Sequence, residues 1–270
     1  NHSSTAKSGS TDSLRMQNDK TQAAPQPPEG GVDSIPSNAV QSFKSALLSS
    51  TFRASPCMSR SIGKLDSGEL GSRAMLSTAY LPPVSYFMCM LHANEIWLEA
   101  CENYVKQSYR NRCRIATANG VETLSIPVES NSGQKNPIRD VRISSHGNWQ
   151  QTHWRAITSA YMNSPFFEYY QDDFRPFYEN KWTFLWDYNL ELLTLILKLL
   201  NENPKIIPTE TYQNNLFDFN DLREIIHPKK EPVLVTKPYY QVFETKYGFL
   251  PDLSIIDLLF NMGNEAVMIL

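Results

Sequence analysis

Apolar and polar positions change their spacing repeatedly after residue 75, and each change marks an element. Leu76–Leu81 is a short apolar run stopped by Pro82-Pro83, which predicts a first strand. Val84 to Ala93 is apolar nearly all round, as in a buried helix. Glu95–Ala100 (EIWLEA) alternates apolar and polar side chains with the period of a strand. Arg114 to Val128 predicts a hairpin, with Asn119-Gly120 supplying the positive φ angles of a type I′ turn. Ile138–Ser144 alternates again, as a further strand. Trp149, His153, Trp154, Ile157 and Tyr161 recur at helical spacing behind Asn148 as N-cap. Ser164-Pro165 opens a second helix, because proline suits the first helical turn. Glu179–Leu200 reads as a long apolar helix. Ile206–Thr209 follows as a strand, Phe219–Ile226 as a helix, Tyr239–Glu244 as a strand and Ser254–Phe260 as a closing helix capped by Ser254. Interleaved strands and helices predict the α/β class: a single three-layer-like domain with a mixed sheet that includes one β-hairpin.

Composition divides the chain near Met75. Residues 1–74 are rich in Ser, Gly, Gln, Asn and Pro, and stretches such as AAPQPPEGGVDSIPSN lack the apolar surface to offset chain entropy. They predict a disordered, low-complexity tail, and Met75 is a candidate biological start. A competing reading sees a transit-peptide-like segment at 34–64, which holds Lys44, Arg53, Arg60 and Lys64 and no acid. All five Trp, all thirteen Tyr and eleven of the thirteen Phe fall within 75–270, the expected folded domain.

Charge and cysteine usage then narrow the chemistry. The chain carries a net charge of −3, and 17 basic against 22 acidic residues in 75–270 exclude a general nucleic-acid footprint. Arg110, Arg112 and Arg114, and separately Arg139 and Arg142, fit one phosphate or carboxylate. The four cysteines form no CxxC pair and no metal spacing, so they read as reduced thiols of a cytoplasmic protein with no metal site. No stretch is long and apolar enough to span a membrane. No glycine-rich phosphate loop, G-x-S-x-G elbow or HExxH occurs, so the sequence names no cofactor.

The densest polar segment, Glu102 to Arg112, is the expected substrate site. Arg112 would grip a phosphate or carboxylate bidentately, Lys106 would act as a point charge, and Tyr104, Tyr109 and Asn111 would orient the substrate. Three residues are candidates for the chemistry. His153 has the intrinsic pKa of a general base near neutral pH, although a lone His on an aromatic face also suits a hydrogen-bonded core. Glu99 ends a strand, a common address for site residues in α/β proteins. Cys101 would be a nucleophile if His153 stood beside it. Asp257 would either reach a basic group of the polar segment or sit on a helix surface.

Three stretches carry a resemblance to the WbqC-like family, found among bacterial genes for O-antigen and other surface polysaccharides. They are Tyr80-Leu81-Pro82 with Tyr86-Phe87, Lys106 through Tyr109-Arg110-Asn111-Arg112-Cys113-Arg114-Ile115 to Ile126-Pro127-Val128, and Gly248-Phe249-Leu250-Pro251-Asp252-Leu253-Ser254 to Asn261. The resemblance covers about 75–270, and the polar segment is similar to the form found in Bacteroidetes. Many members carry a His-Gln pair before the Tyr-Leu-Pro corner, where this chain has Ser77-Thr78. Many carry an Asp pair after the second strand, where this chain reads Glu99-Ala100-Cys101-Glu102. The resemblance implies a role in surface-polysaccharide assembly with other biosynthetic proteins as partners. Amino-sugar gene neighbourhoods suggest a transferase moving an acyl or aminoacyl group to a nucleotide-linked amino sugar. The alternative is a non-catalytic interaction or carrier protein, which the altered Ser77-Thr78 and Ala100-Cys101 positions favour.

Overall fold

The computed structural model describes residues 73–129, 135–214, 216 and 218–270. The expected low-complexity tail and the transit-peptide-like segment lie outside the described residues. Four parallel strands form the central sheet: β1 (Arg73–Ser77), β2 (Glu95–Glu99), β5 (Ile206–Pro208) and β6 (Asn220–Asp221), in the order β5-β2-β1-β6. β1 is apolar along its middle and buried there, as a parallel strand covered on both faces must be. Helix α1 (Val84–Leu91) crosses from β1 to β2, and its first seven residues are buried. β3 (Arg112–Thr117) and β4 (Gly120–Ser125) form a separate antiparallel pair. Helices α2 (Trp149–Tyr161), α3 (Phe167–Glu179), α4 (Leu185–Leu199), α5 (Glu244–Tyr247) and α6 (Ile255–Met262) complete the α/β fold.

Several elements differ from expectation, each for a local reason. The first strand starts at Arg73 and ends at Ser77, because register with Glu95–Glu99 on β2 fixes it. Leu81 is left to form the corner, at φ +41°. The hairpin turn is not type I′. Asn119 keeps a negative φ and Gly120 alone is positive, at +105°, as at the Gly of a bulged turn. Ile138–Asp140 is a single 3-10 turn and not a strand. The residues after it form only isolated bridges, Val128 with Ile143 and Arg142 with Phe184. The apolar stretch expected as one helix from Glu179 is split, because Glu179 ends α3 and α4 begins at Leu185. Phe219–Ile226 yields β6 in place of a helix, since Asn220 and Asp221 pair with Ala74 and Met75 of β1. Tyr239–Gln241 alternates buried and exposed side chains, but Tyr239–Glu244 pairs with no strand among the described residues; its one helical turn starts at Glu244.

The three family-like stretches meet at the Tyr80–Pro83 corner. Tyr80 N–H donates to Tyr109 C=O (2.8 Å), Ser254 N–H to Arg114 C=O (2.8 Å) and Ile255 N–H to Pro82 C=O (2.9 Å). Ser254 stands at the N-cap of α6 as expected, but its hydroxyl makes no capping hydrogen bond and donates instead to Leu81 C=O (2.8 Å). Beneath this corner the core is aromatic, with Tyr80, Tyr161, Tyr188, Phe87, Phe174 and Phe260 fully buried. Among the described residues no helix is long and apolar enough to cross a membrane.

Candidate functional site

Because all four strands of the sheet are parallel, their carboxyl ends share one edge. The chain runs outward from β1 through β2 to β5 and then returns to β6 on the other side of β1. The order therefore reverses between β1 and β6, where open α/β sheets form ligand crevices. A narrow crevice lies there, with a cavity volume of about 10 Å³, room for about one water, and walls that include Ser77, Thr78, Tyr86, Tyr109, Arg110 and Arg223.

Two ion-pair groups sit along this edge. In the first, Arg110 grips Glu102 with two nitrogens, Nε donating to Oε1 (2.8 Å) and Nη2 to Oε2. The Ser77 hydroxyl, at the end of β1, donates to Glu102 Oε2 (3.0 Å) and accepts from Arg110 Nη2 (2.9 Å). Burial pushes the Glu102 pKa up; the Arg110 and Ser77 hydrogen bonds pull the other way but do not outweigh it. In the second group, Arg223 Nη1 donates to Glu99 Oε2 (2.9 Å), and Nε and Nη2 clamp Asp221 (2.9 and 2.8 Å). The Arg223 guanidinium also lies over the Tyr212 ring, 4.9 Å from its centroid. Three carboxylates thus share two guanidiniums. Among the described residues no group of three His, Cys, Asp or Glu could hold a metal.

The sequence-predicted residues fall into distinct places. Glu99 is fully buried and also accepts hydrogen bonds from the Thr209 hydroxyl and from the Cys101 and Gln213 backbone N–H groups. Cys101 is half-buried, with its thiol 3.7 Å from Thr209 C=O. His153 lies in the aromatic core. Its Nδ1 is 3.0 Å from the Tyr80 hydroxyl, which in turn is 3.0 Å from that of Tyr178, and its ring stacks on Tyr80. Burial lowers the His153 pKa to about 4, only partly offset by a hydrogen bond to the Ser125 backbone, so the ring is neutral at physiological pH. Asn111 is buried, and its Nδ2 donates to Ile126 C=O (2.8 Å), closing the base of the hairpin. Tyr109 is buried, and burial raises its pKa to about 12.

The remaining three lie at the surface of the polar segment. Lys106 is exposed. Arg112 is half-buried; it makes no ion pair among the described residues, and its buried Nε has no hydrogen-bond partner. Tyr104 lies within electrostatic reach of both Arg112 and Arg110, whose charges oppose the rise in its pKa caused by burial. Asp257 meets no group of this segment; it is buried beneath the C-terminal loop with Tyr239 and Gln241.

Sequence reasoning missed Ser77, Arg110, Asp221 and Arg223 as members of one site. Ser77 and Glu102 had a signal, because both stand where the chain departs from the family pattern, and the structure puts them in direct contact. Asp221 and Arg223 had none, since their segment reads as a helix.

The sequence model of the WbqC-like protein family matches residues 78–227, more than half of the chain, against the 75–270 expected from the motifs. That range includes the loops after all four parallel strands. The "Uncharacterized protein Rv1507c" of Mycobacterium tuberculosis is 26% identical over 219 residues, which cover 72% of this chain and 94% of that protein. No solved structure matches the chain.

Proposed function

The chain belongs to the WbqC-like protein family, and from that premise we propose that it acts in surface-polysaccharide assembly, transferring an acyl or aminoacyl group to an amino sugar on a nucleotide carrier. The observation that carries this reading is the surplus of carboxylate along the sheet edge behind the crevice: Glu99, Glu102 and Asp221 against Arg110 and Arg223, the two guanidiniums that line the crevice and are already engaged. Such a site favours a substrate ammonium over a phosphate. Glu102, with its raised pKa, would accept the ammonium proton and free the amine. The amine attacks the acyl carbonyl, the C–N bond forms, and the bond to the donor's leaving group breaks. Arg112 makes no ion pair among the described residues and lies within electrostatic reach of Tyr104, so it would take a phosphate of the carrier, with Lys106 adding charge at the rim. In this reading Glu102, hydrogen-bonded to Ser77 of the crevice wall, holds the proton-accepting role expected of Glu99 or His153.

Thermal shift of the full chain with nucleotide-linked amino sugars, free nucleotides and acyl-CoA compounds tests this. The expected result is stabilisation by a nucleotide amino sugar that is lost in Arg112→Ala. Glu102→Gln, checked for folding by circular dichroism, should retain binding and lose turnover. No shift with any compound would move the reading to a non-catalytic partner or carrier in glycan assembly. One feature favours that alternative: Met162 (62%), Phe166 (37%) and Tyr169 (78%) are exposed close together in sequence where α2 passes into α3.

A further inference from the structure

A second cleft opens away from the sheet edge, between the hairpin and the loops that precede α6. Its cavity volume is about 210 Å³, and its walls include Arg114, Val121, Lys230, Glu231, Leu250 and Pro251. Arg114 lies on β3 two residues beyond Arg112, so both belong to the same face of the strand. The Arg114 guanidinium lies within electrostatic reach of Tyr109, which lines the crevice. Lys230 Nζ donates to Glu224 C=O (2.6 Å) and so has a fixed anchor at the cleft wall.

Both charge signs are present and are not matched to each other. Arg114, Lys230 and Glu231 line one cavity, yet none of the three forms an ion pair among the described residues. Two cations and one anion around an apolar wall of Val121, Leu250 and Pro251 complement a small zwitterion with an apolar side chain. The volume equals that of about seven waters, enough for one amino acid.

We infer that this cleft binds a free α-amino acid. Arg114 and Lys230 hold its carboxylate, Glu231 its ammonium, and the Val121–Leu250 wall its side chain. As the seat of an aminoacyl donor's amino-acid part, it rests on the transfer reading above; as a binding site, it stands on the cleft alone.

Calorimetric titration of the full chain with L-leucine tests it, with isocaproate (no ammonium) and isoamylamine (no carboxylate) as probes. L-leucine should bind at least about tenfold more tightly than either analogue. Glu231→Gln, on an exposed loop, should weaken L-leucine by about tenfold and leave isocaproate unchanged. Arg114→Gln should weaken both carboxylates. Because Arg114 also lies close to the buried Tyr109, Lys230→Gln repeats that arm at an exposed position. Absence of L-leucine binding at millimolar concentration, equal binding of L-leucine and isocaproate, or unchanged affinity in Glu231→Gln would overturn the inference. Arg112→Ala and Glu102→Gln should leave L-leucine binding intact, so a wild-type chain that binds L-leucine and shows no response to any nucleotide sugar would refute the transfer reading and not this cleft.

Discussion

Replacing Asp257 with Asn keeps the shape of the side chain and removes its charge. Asp257 is buried on α6, where its Oδ2 accepts hydrogen bonds from the Tyr239 hydroxyl (2.7 Å) and Gln241 Nε2 (2.9 Å). The Tyr161 hydroxyl and Oδ1 lie near each other without a well-formed hydrogen bond. No cation pairs with this carboxylate among the described residues. Burial dominates and raises its pKa from 3.8 to about 6, against the pull of Tyr239, Tyr161 and Gln241. Between about pH 4 and pH 6 the folded state keeps a proton on Asp257 that the unfolded chain has released. Unfolding then releases that proton, so rising pH favours the unfolded state. A shift of about two units corresponds to about 3 kcal/mol, present in full below pH 4 and lost above pH 6. Urea unfolding followed by circular dichroism across this range, for wild type and Asp257→Asn, reads the effect as a difference in which all other titrations cancel. Wild type should lose about 3 kcal/mol relative to the variant, or about 1.5 M in midpoint at a slope of about 2 kcal/mol/M. A difference that stays flat with pH, or that grows in favour of wild type as pH rises, would refute the reasoning.

Two further outcomes follow from the buried polar groups. Arg223→Ala would strand the fully buried Glu99 without its cation and should cost about 3–5 kcal/mol in urea unfolding; a cost under about 1 kcal/mol would show that the pair is dispensable. The His153 ring proton, followed by NMR, should titrate near pH 4, and a midpoint near 6.5 would contradict its enclosure. This group acts opposite to Asp257: the unfolded chain binds its proton more readily, so its contribution to stability rises from about pH 4 to pH 6.5.

The legible part of the fold was its periodic part. α1, β2, α2 and α6 appear close to where apolar spacing put them, because each buries a face whose period shows in sequence. The misread segments are those whose conformation is set by a distant partner. Asn220 and Asp221 extend because β1 offers free backbone groups beside them. Tyr239 and Gln241 alternate because both reach Asp257, not because a neighbouring strand exists. The site was partly legible for the same reason. A run of polar residues from Glu102 to Arg112 marks a location, but a single sequence does not pair Glu102 with Ser77, 25 residues away, or Glu99 with Arg223, 124 residues away.

The sequence by itself determined the α/β class, the aromatic core and the family, since these depend on local period, composition and motif order. Only the tertiary structure decided which polar groups are engaged and which are left over. Arg110 and Arg223 are held by carboxylates, whereas Arg112 makes no ion pair among the described residues. His153 is enclosed and neutral. Those outcomes follow from burial and from partners brought together across the sheet edge, where desolvation and Coulomb attraction act over ångströms and not over sequence distance.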